Sequence, residues 1–164
     1  MTPQRIPTLP GQESVWDYPR PPRHEPVSRR IRILFNDAVI VDTVGARRVL
    51  ETSHPPVYYI PPGDILPGAL VPAAGTSWCE WKGQAAYFSL VVGQRRVERV
   101  AWSYLNPTPA FVAIAGYVAF YAGPMDACFV GEEKALPQPG NFYGGWITSD
   151  VVGPFKGGPD SAGW

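Results

Sequence analysis

Proline and glycine constrain this chain more than any other feature. Of its 164 residues, 20 are proline and 17 are glycine. Proline fixes φ and removes a backbone donor, while glycine permits turns that other residues avoid. Such frequent punctuation points to many turns and short elements, and it argues against a helical bundle.

Between the breaks the apolar pattern is β-like. Ile31, Ile33 and Phe35 alternate with Arg32 and Leu34, Asn36-Asp37 reads as a turn, and Ala38 to Asp42 completes a hairpin. Val57 to Ile60 is a short strand stopped by Pro61-Pro62. Ser77 to Trp81, Gln84 to Val92 and Arg95 to Tyr104 form a central sheet, with Gly93-Gln94 as a tight turn. Strict alternation in the third strand puts Val97, Arg99, Ala101 and Ser103 on one face. Arg96, Glu98, Val100, Trp102 and Tyr104 take the other. Arg47 to Thr52 is too short for periodicity to choose between strand and helix. Gly63 to Leu66 is at most one helical turn. Ala110 to Ala115 reads as a short helix behind Pro109, and Tyr117 to Tyr121 and Ala127 to Val130 as closing strands. The expected fold is mainly β: one compact domain of short antiparallel strands, β-tent-like or a small barrel, with one or two short helices.

The length fits one domain, and 45% hydrophobic residues supply its core. Three parts are expected. Residues 1–29 form a proline-rich arm, extended, with residues 1–12 free and Val15, Trp16 and Tyr18 as anchors. Regular structure starts at Arg30, and residues 30–131 form the β domain. Residues 132–164 form a strap that mixes glycine with large rings, as in Asn141 to Trp146 and Gly153 to Gly158. Those rings bury area against the domain or against a second subunit in a homodimer.

Formal net charge is zero, which removes any broad pull towards nucleic acid or anionic lipid. No apolar run is long enough to span a bilayer, and the first residues lack a signal-peptide core. Cys79 and Cys128 make no disulfide scaffold. The expectation is a soluble, cytoplasmic protein.

Chemistry concentrates in Thr76 to Tyr87, which holds one of the two cysteines and two of the six tryptophans. Cys79 and Lys82 are odd-spaced and would face apart in a strand, unless Gly83 bends the chain and brings them together. Thiol chemistry at Cys79 would need such a cation, and Lys82 alone is a candidate anion receptor. His54 is a second catalytic candidate, with Glu51 to orient it. Neither candidate has a Gly-x-Ser-x-Gly turn or a Gly-rich phosphate cradle beside it. The cysteines and histidines match no metal-ligand spacing, so no metal or cofactor is expected. Rings are the largest signal by area. Because neighbours on a strand alternate, Tyr58 and Tyr59 must face opposite sides. The expected ligand-contact set is Tyr58, Tyr59, Trp81, Lys82, Trp102 and Tyr104.

Four stretches carry a family likeness. They are Glu13 to Arg23; Arg48 to Pro62, with its Glu-Thr-Ser-His-Pro-Pro core; Cys79 to Tyr87; and Ala101 to Tyr121. Through them the chain resembles the bacterial domain-of-unknown-function 427 family, labelled nucleotidyltransferase-like. The likeness runs from residue 13 to residue 130. It implies a small, mainly β domain of the β-tent type, whose relatives often bind zinc through paired Cys-x-x-Cys hairpins. Here Cys79 is followed by Lys82 where a second cysteine would stand, so that zinc site is lost. Glu80 replaces a proline common in the family, and Phe142 to Asp150 resembles an extension found in part of it. The leading functional expectation is a module that binds a small polar or anionic ligand. The alternatives are an enzyme, acting by nucleotidyl transfer or through Cys79, and a structural or accessory interaction protein.

Overall fold

The computed structural model describes residues 3–164. In chain order the strands are β1 (Glu13–Ser14), β2 (Arg23–Pro26), β3 (Ile31–Phe35), β4 (Ala38–Thr43), β5 (Arg47–Leu50) and β6 (Val57–Tyr59). They continue with β7 (Leu70–Cys79), β8 (Gly83–Val92), β9 (Arg95–Ser103), β10 (Val118–Phe120) and β11 (Ala127–Val130). The last four are β12 (Glu133–Lys134), β13 (Leu136–Pro137), β14 (Trp146–Ile147) and β15 (Val151–Val152). Helix is limited to 3-10 turns at Val15–Asp17, Pro62–Asp64 and Pro109–Ile114. Among the described residues no helix is long and apolar enough to cross a membrane.

The fold is mainly β, in several small sheets, and no sheet among the described residues closes into a barrel. A four-stranded antiparallel sheet runs β10-β9-β8-β7, and another runs β12-β11-β3-β4. A three-stranded sheet runs β2-β5-β6. Ile60 and Val118 exchange backbone hydrogen bonds of 2.8 and 2.9 Å and tie β6 to β10. Regular structure therefore begins before Arg30. The arm supplies β2 to a sheet edge, where Pro26 costs no ladder bond, and β1 pairs in parallel with β15 of the strap. The first residues are also tied to the strap. Ile6 N–H donates to the Gly153 carbonyl (3.3 Å), and Gln12 Nε2 donates to that of Ser149 (2.8 Å). Met1 and Thr2 lie outside the described residues.

Two cores result. The main one is aliphatic, built on Ile31, Ile33 and Phe35 of β3 with Leu90, Val100 and Phe120. The strap's Trp146 seals it, 5.2 Å from the Tyr58 ring. The second is aromatic and lies on the other face of β6, β9 and β10, around Tyr59, Trp102, Tyr104 and Phe111. Simple alternation fails in β9. Arg99 takes a left-handed φ of 56°, its N–H donates to Ser89 Oγ (3.0 Å), and the pairing shifts between Phe88 and Leu90. This bulge turns Val100 into the main core, away from Trp102 and Tyr104.

Candidate functional site

The turn between β7 and β8 sets the site. Cys79 pairs with Gly83, whose φ of +104° reverses the chain over Glu80, Trp81 and Lys82. The loop after β9 clamps this turn. Thr108 N–H donates to the Lys82 carbonyl (3.1 Å), and Thr108 Oγ1 donates to that of Trp81 (2.6 Å). Cys79, Trp81 and Lys82 then border one cavity of about 460 Å³. Tyr59, Trp102 and Tyr104 form its aromatic floor, while Val49, Glu51 and His54 approach from β5 and the segment after it. The strap closes the far side with Gln138 and Phe142 to Gly144. Tyr121 holds the strap there: its hydroxyl donates to the Phe142 carbonyl (2.7 Å), and its ring packs 4.7 Å from Trp102. Gly144 lies flat on the Trp102 indole, where a Cβ would collide with the ring.

Among the described residues Lys82 is the cavity's only lysine or arginine, and it is 8% exposed. Its Nζ sits 5.7 Å from the Tyr104 ring centre and 5.8 Å from that of Phe111. Rings of this kind attract an ammonium without neutralising it. Among the described residues no carboxylate pairs with Lys82.

His54 is equally buried, and a chain of amides fixes its protonation. Gly145 N–H donates to Gln138 Oε1 (3.0 Å), which orients the Gln138 side chain. Its Nε2 therefore faces the Lys156 carbonyl (2.8 Å) and His54 Nδ1 (3.0 Å). An amide NH₂ only donates, so Nδ1 accepts, and the proton of a neutral ring sits on Nε2. Burial, with Lys156, Arg20 and Lys82 nearby, lowers the His54 pKa to about 4. The Glu51 carboxylate, 3.5 Å from Nε2, opposes this shift. Desolvation and three cations outweigh one partly exposed carboxylate that Arg20 also contacts at 3.4 Å. Burial also pushes the Tyr59 and Tyr104 pKa values well up, so both keep their phenolic protons.

Seven of the eight candidate catalytic and ligand-contact residues border this cavity: Cys79, His54, Tyr59, Trp81, Lys82, Trp102 and Tyr104. Tyr58 does not. It lies in the aliphatic core. Glu51 and Tyr121 line the cavity as well, and so do Gln138 and Tyr143, which were not anticipated. The aromatic character of the strap hinted at Tyr143, but nothing in local pattern marks Gln138. Cys128 is buried in the main core, where desolvation raises its pKa, and both cysteines are free thiols.

Residues 23–131 match the model of the family described as Domain of unknown function (DUF427). The chain belongs to the DUF427 family. No curated protein matches it. The matched region of this DUF427 chain contributes the cavity's floor and its lysine. Gln138 and Phe142 to Gly144 come from outside it. The family's short label alludes to nucleotidyl transfer. Among the described residues no group of three or more His, Cys, Asp or Glu side chains is placed to hold a metal ion.

Proposed function

We propose that this DUF427 chain is a small-molecule-binding module whose ligand sets an anionic group on Lys82 and an apolar body against Tyr59, Trp102 and Tyr104. One observation carries the reading. The ammonium of a buried lysine borders a cavity of about 460 Å³, and among the described residues no carboxylate pairs with it. Placing a cation there costs desolvation that the two rings offset only in part. A bound anion would complete the pair. The volume and the largely aromatic lining also suit a small-molecule site.

Calorimetry and thermal shift against a panel of small acids, amines, sugars and nucleotides test this, with Lys82→Met as the partner measurement. Methionine keeps the length and apolar stem. The variant should fold with unchanged or raised Tm and bind anions at least about tenfold more weakly, a difference of about 1.4 kcal/mol. A panel without any binder, or a Lys82→Met protein that binds anions as the parent does, refutes the reading.

A further inference from the structure

We infer that the ligand class is an aromatic monocarboxylate, its oxygens received by the Lys82 ammonium and the His54 Nε2–H. This class rests on the binding reading and names what that cavity selects.

Two donors reach the cavity without a hydrogen-bonded protein acceptor: Lys82 Nζ has no carboxylate paired with it, and the acceptor nearest His54 Nε2 is the Glu51 carboxylate at 3.5 Å, too far for a good hydrogen bond. The buried side-chain polar atoms that are both enclosed and unpartnered among the described residues are Arg32 Nε, Ser53 Oγ and Ser103 Oγ. Lys82 Nζ and His54 Nε2 have no hydrogen-bond partner either, yet they are not in that set. Both therefore keep surface open to the cavity they line. The His54 donor is fixed from the strap. Gln138 occupies Nδ1, so the proton must stand on Nε2. An ammonium and a neutral imidazole N–H both require an acceptor. A carboxylate is acceptor-only and offers two oxygens.

Charge selects a monoanion. The charged residues on the cavity wall are Lys82, Glu51 and Glu80. One anionic group on Lys82 is matched. A phosphate dianion or a triphosphate would bring further negative charge towards two glutamates with no second cation in the wall. Strong phosphate sites use arginine forks, helix N-termini or glycine-rich nests, and none of these lines the cavity. Shape selects a flat apolar body. Tyr59, Trp102 and Tyr104 offer ring faces and edges that favour another ring, and about 460 Å³ accommodates one or two rings.

Ligand-observed NMR and calorimetry on the full chain at pH 7 test this with benzoate, phenyl phosphate, benzyl alcohol and acetate. Benzoate should bind at least tenfold tighter than each of the other three. It should weaken at least tenfold in Lys82→Met and several-fold in His54→Phe, which keeps a ring beside Tyr143 but lacks the donor. Imidazole ¹⁵N spectra of the unmodified protein give a readout that needs no variant. His54 should show an unprotonated Nδ1 and a protonated Nε2, and benzoate should shift the Nε2–H signal. Phenyl phosphate or benzyl alcohol binding as well as benzoate overturns the class while leaving a binding site. Acetate binding as well as benzoate removes the aromatic requirement, again with the site intact. Benzoate binding that Lys82→Met leaves unchanged overturns the assignment of residues. If these probes and the wider panel all fail to bind, the binding reading itself falls.

Discussion

Tyr58 and Tyr59 are neighbours on β6, yet they belong to different environments. Tyr58 points into an aliphatic core, packed on Trp146 and closed on every side. Tyr59 points into the aromatic cluster, beside an open cavity that contains a lysine, a histidine and a cysteine. Both rings are almost fully buried, so burial alone does not distinguish structure from function here. What differs is completion. The first core fills its space, mostly with apolar groups, and the Trp146 indole N–H is satisfied by the Phe120 carbonyl. The second leaves two donors and about 460 Å³ unfilled. A fold tolerates such a cluster because the other core carries the stability.

That division sets the largest expected effect. Ile33 is fully buried in the main core, so Ile33→Ala should cost about 2–5 kcal/mol, the transfer of its methyl groups plus the cavity left behind. Trp81 is only half-buried and faces space that already exists. Trp81→Ala should cost about 2 kcal/mol, at the low end of that range despite the larger side chain, because part of its area stays in water and its open site adds no sealed-cavity cost. Urea unfolding of both variants makes the comparison. Equal losses would mean that the aromatic cluster is as structural as the aliphatic one.

Much of the first core can be read from local pattern, while little of the second can. The alternation of Ile31, Ile33 and Phe35 places all three inside, and Asn36-Asp37 turns with left-handed φ values of 50° and 63°. In the second region, Cys79 and Lys82 border one cavity because Lys82 sits in the turn that Gly83 closes by pairing with Cys79. The face of Val100 was misjudged because a bulge at Arg99 breaks the period of two, and bulges leave no reliable mark in composition. β7 extends back to Leu70 across Pro72 and Gly75, which a central strand would reject but an edge strand accepts. Gln138 meets His54 across 84 positions of sequence. No periodicity or spacing rule connects residues that far apart, so this contact was visible only in the fold.

Acid should expose the same division through His54. The groups around this ring are Glu51 on its own segment, Lys82 across the cavity, Arg20 from the arm, and Gln138, Tyr143 and Lys156 from the strap. Its pKa falls from 6.5 to about 4 on folding, so between those values the unfolded chain binds the extra proton. Stability is therefore fully present above pH 6.5 and is lost as pH falls towards 4, by about 3 kcal/mol at most. Carboxylates titrate in the same range, so the measurement is a difference. The parent should lose about that much more than His54→Gln between pH 6.5 and pH 4 in denaturant titrations. Parallel losses would show that His54 protonates as readily folded as unfolded, and the neutral donor facing the cavity would be gone.

The smallest effect tests whether the strap is a wall of the second region or only a cover. Gly144 leaves no room for a methyl group against the Trp102 indole, while the nearby Phe142 side chain is largely exposed. Overpacking a rigid core costs about 1–3 kcal/mol, and a strap that can lift relieves part of this, so Gly144→Ala should sit near the lower end. The consequence for the cavity should exceed the consequence for stability. Lifting Gly144 withdraws Tyr143 from His54, now 4.7 Å apart, and strains the Tyr121 hydrogen bond to Phe142. Trp102 fluorescence should become more solvent-exposed, and benzoate affinity should fall several-fold while Tm drops by only a few degrees. The aliphatic core should not register the change, because Trp146 is anchored separately through its indole N–H to the Phe120 carbonyl (3.0 Å). A variant that loses stability as Ile33→Ala does would instead show the strap to be continuous with the main core, and the two regions would then fold and fail as one.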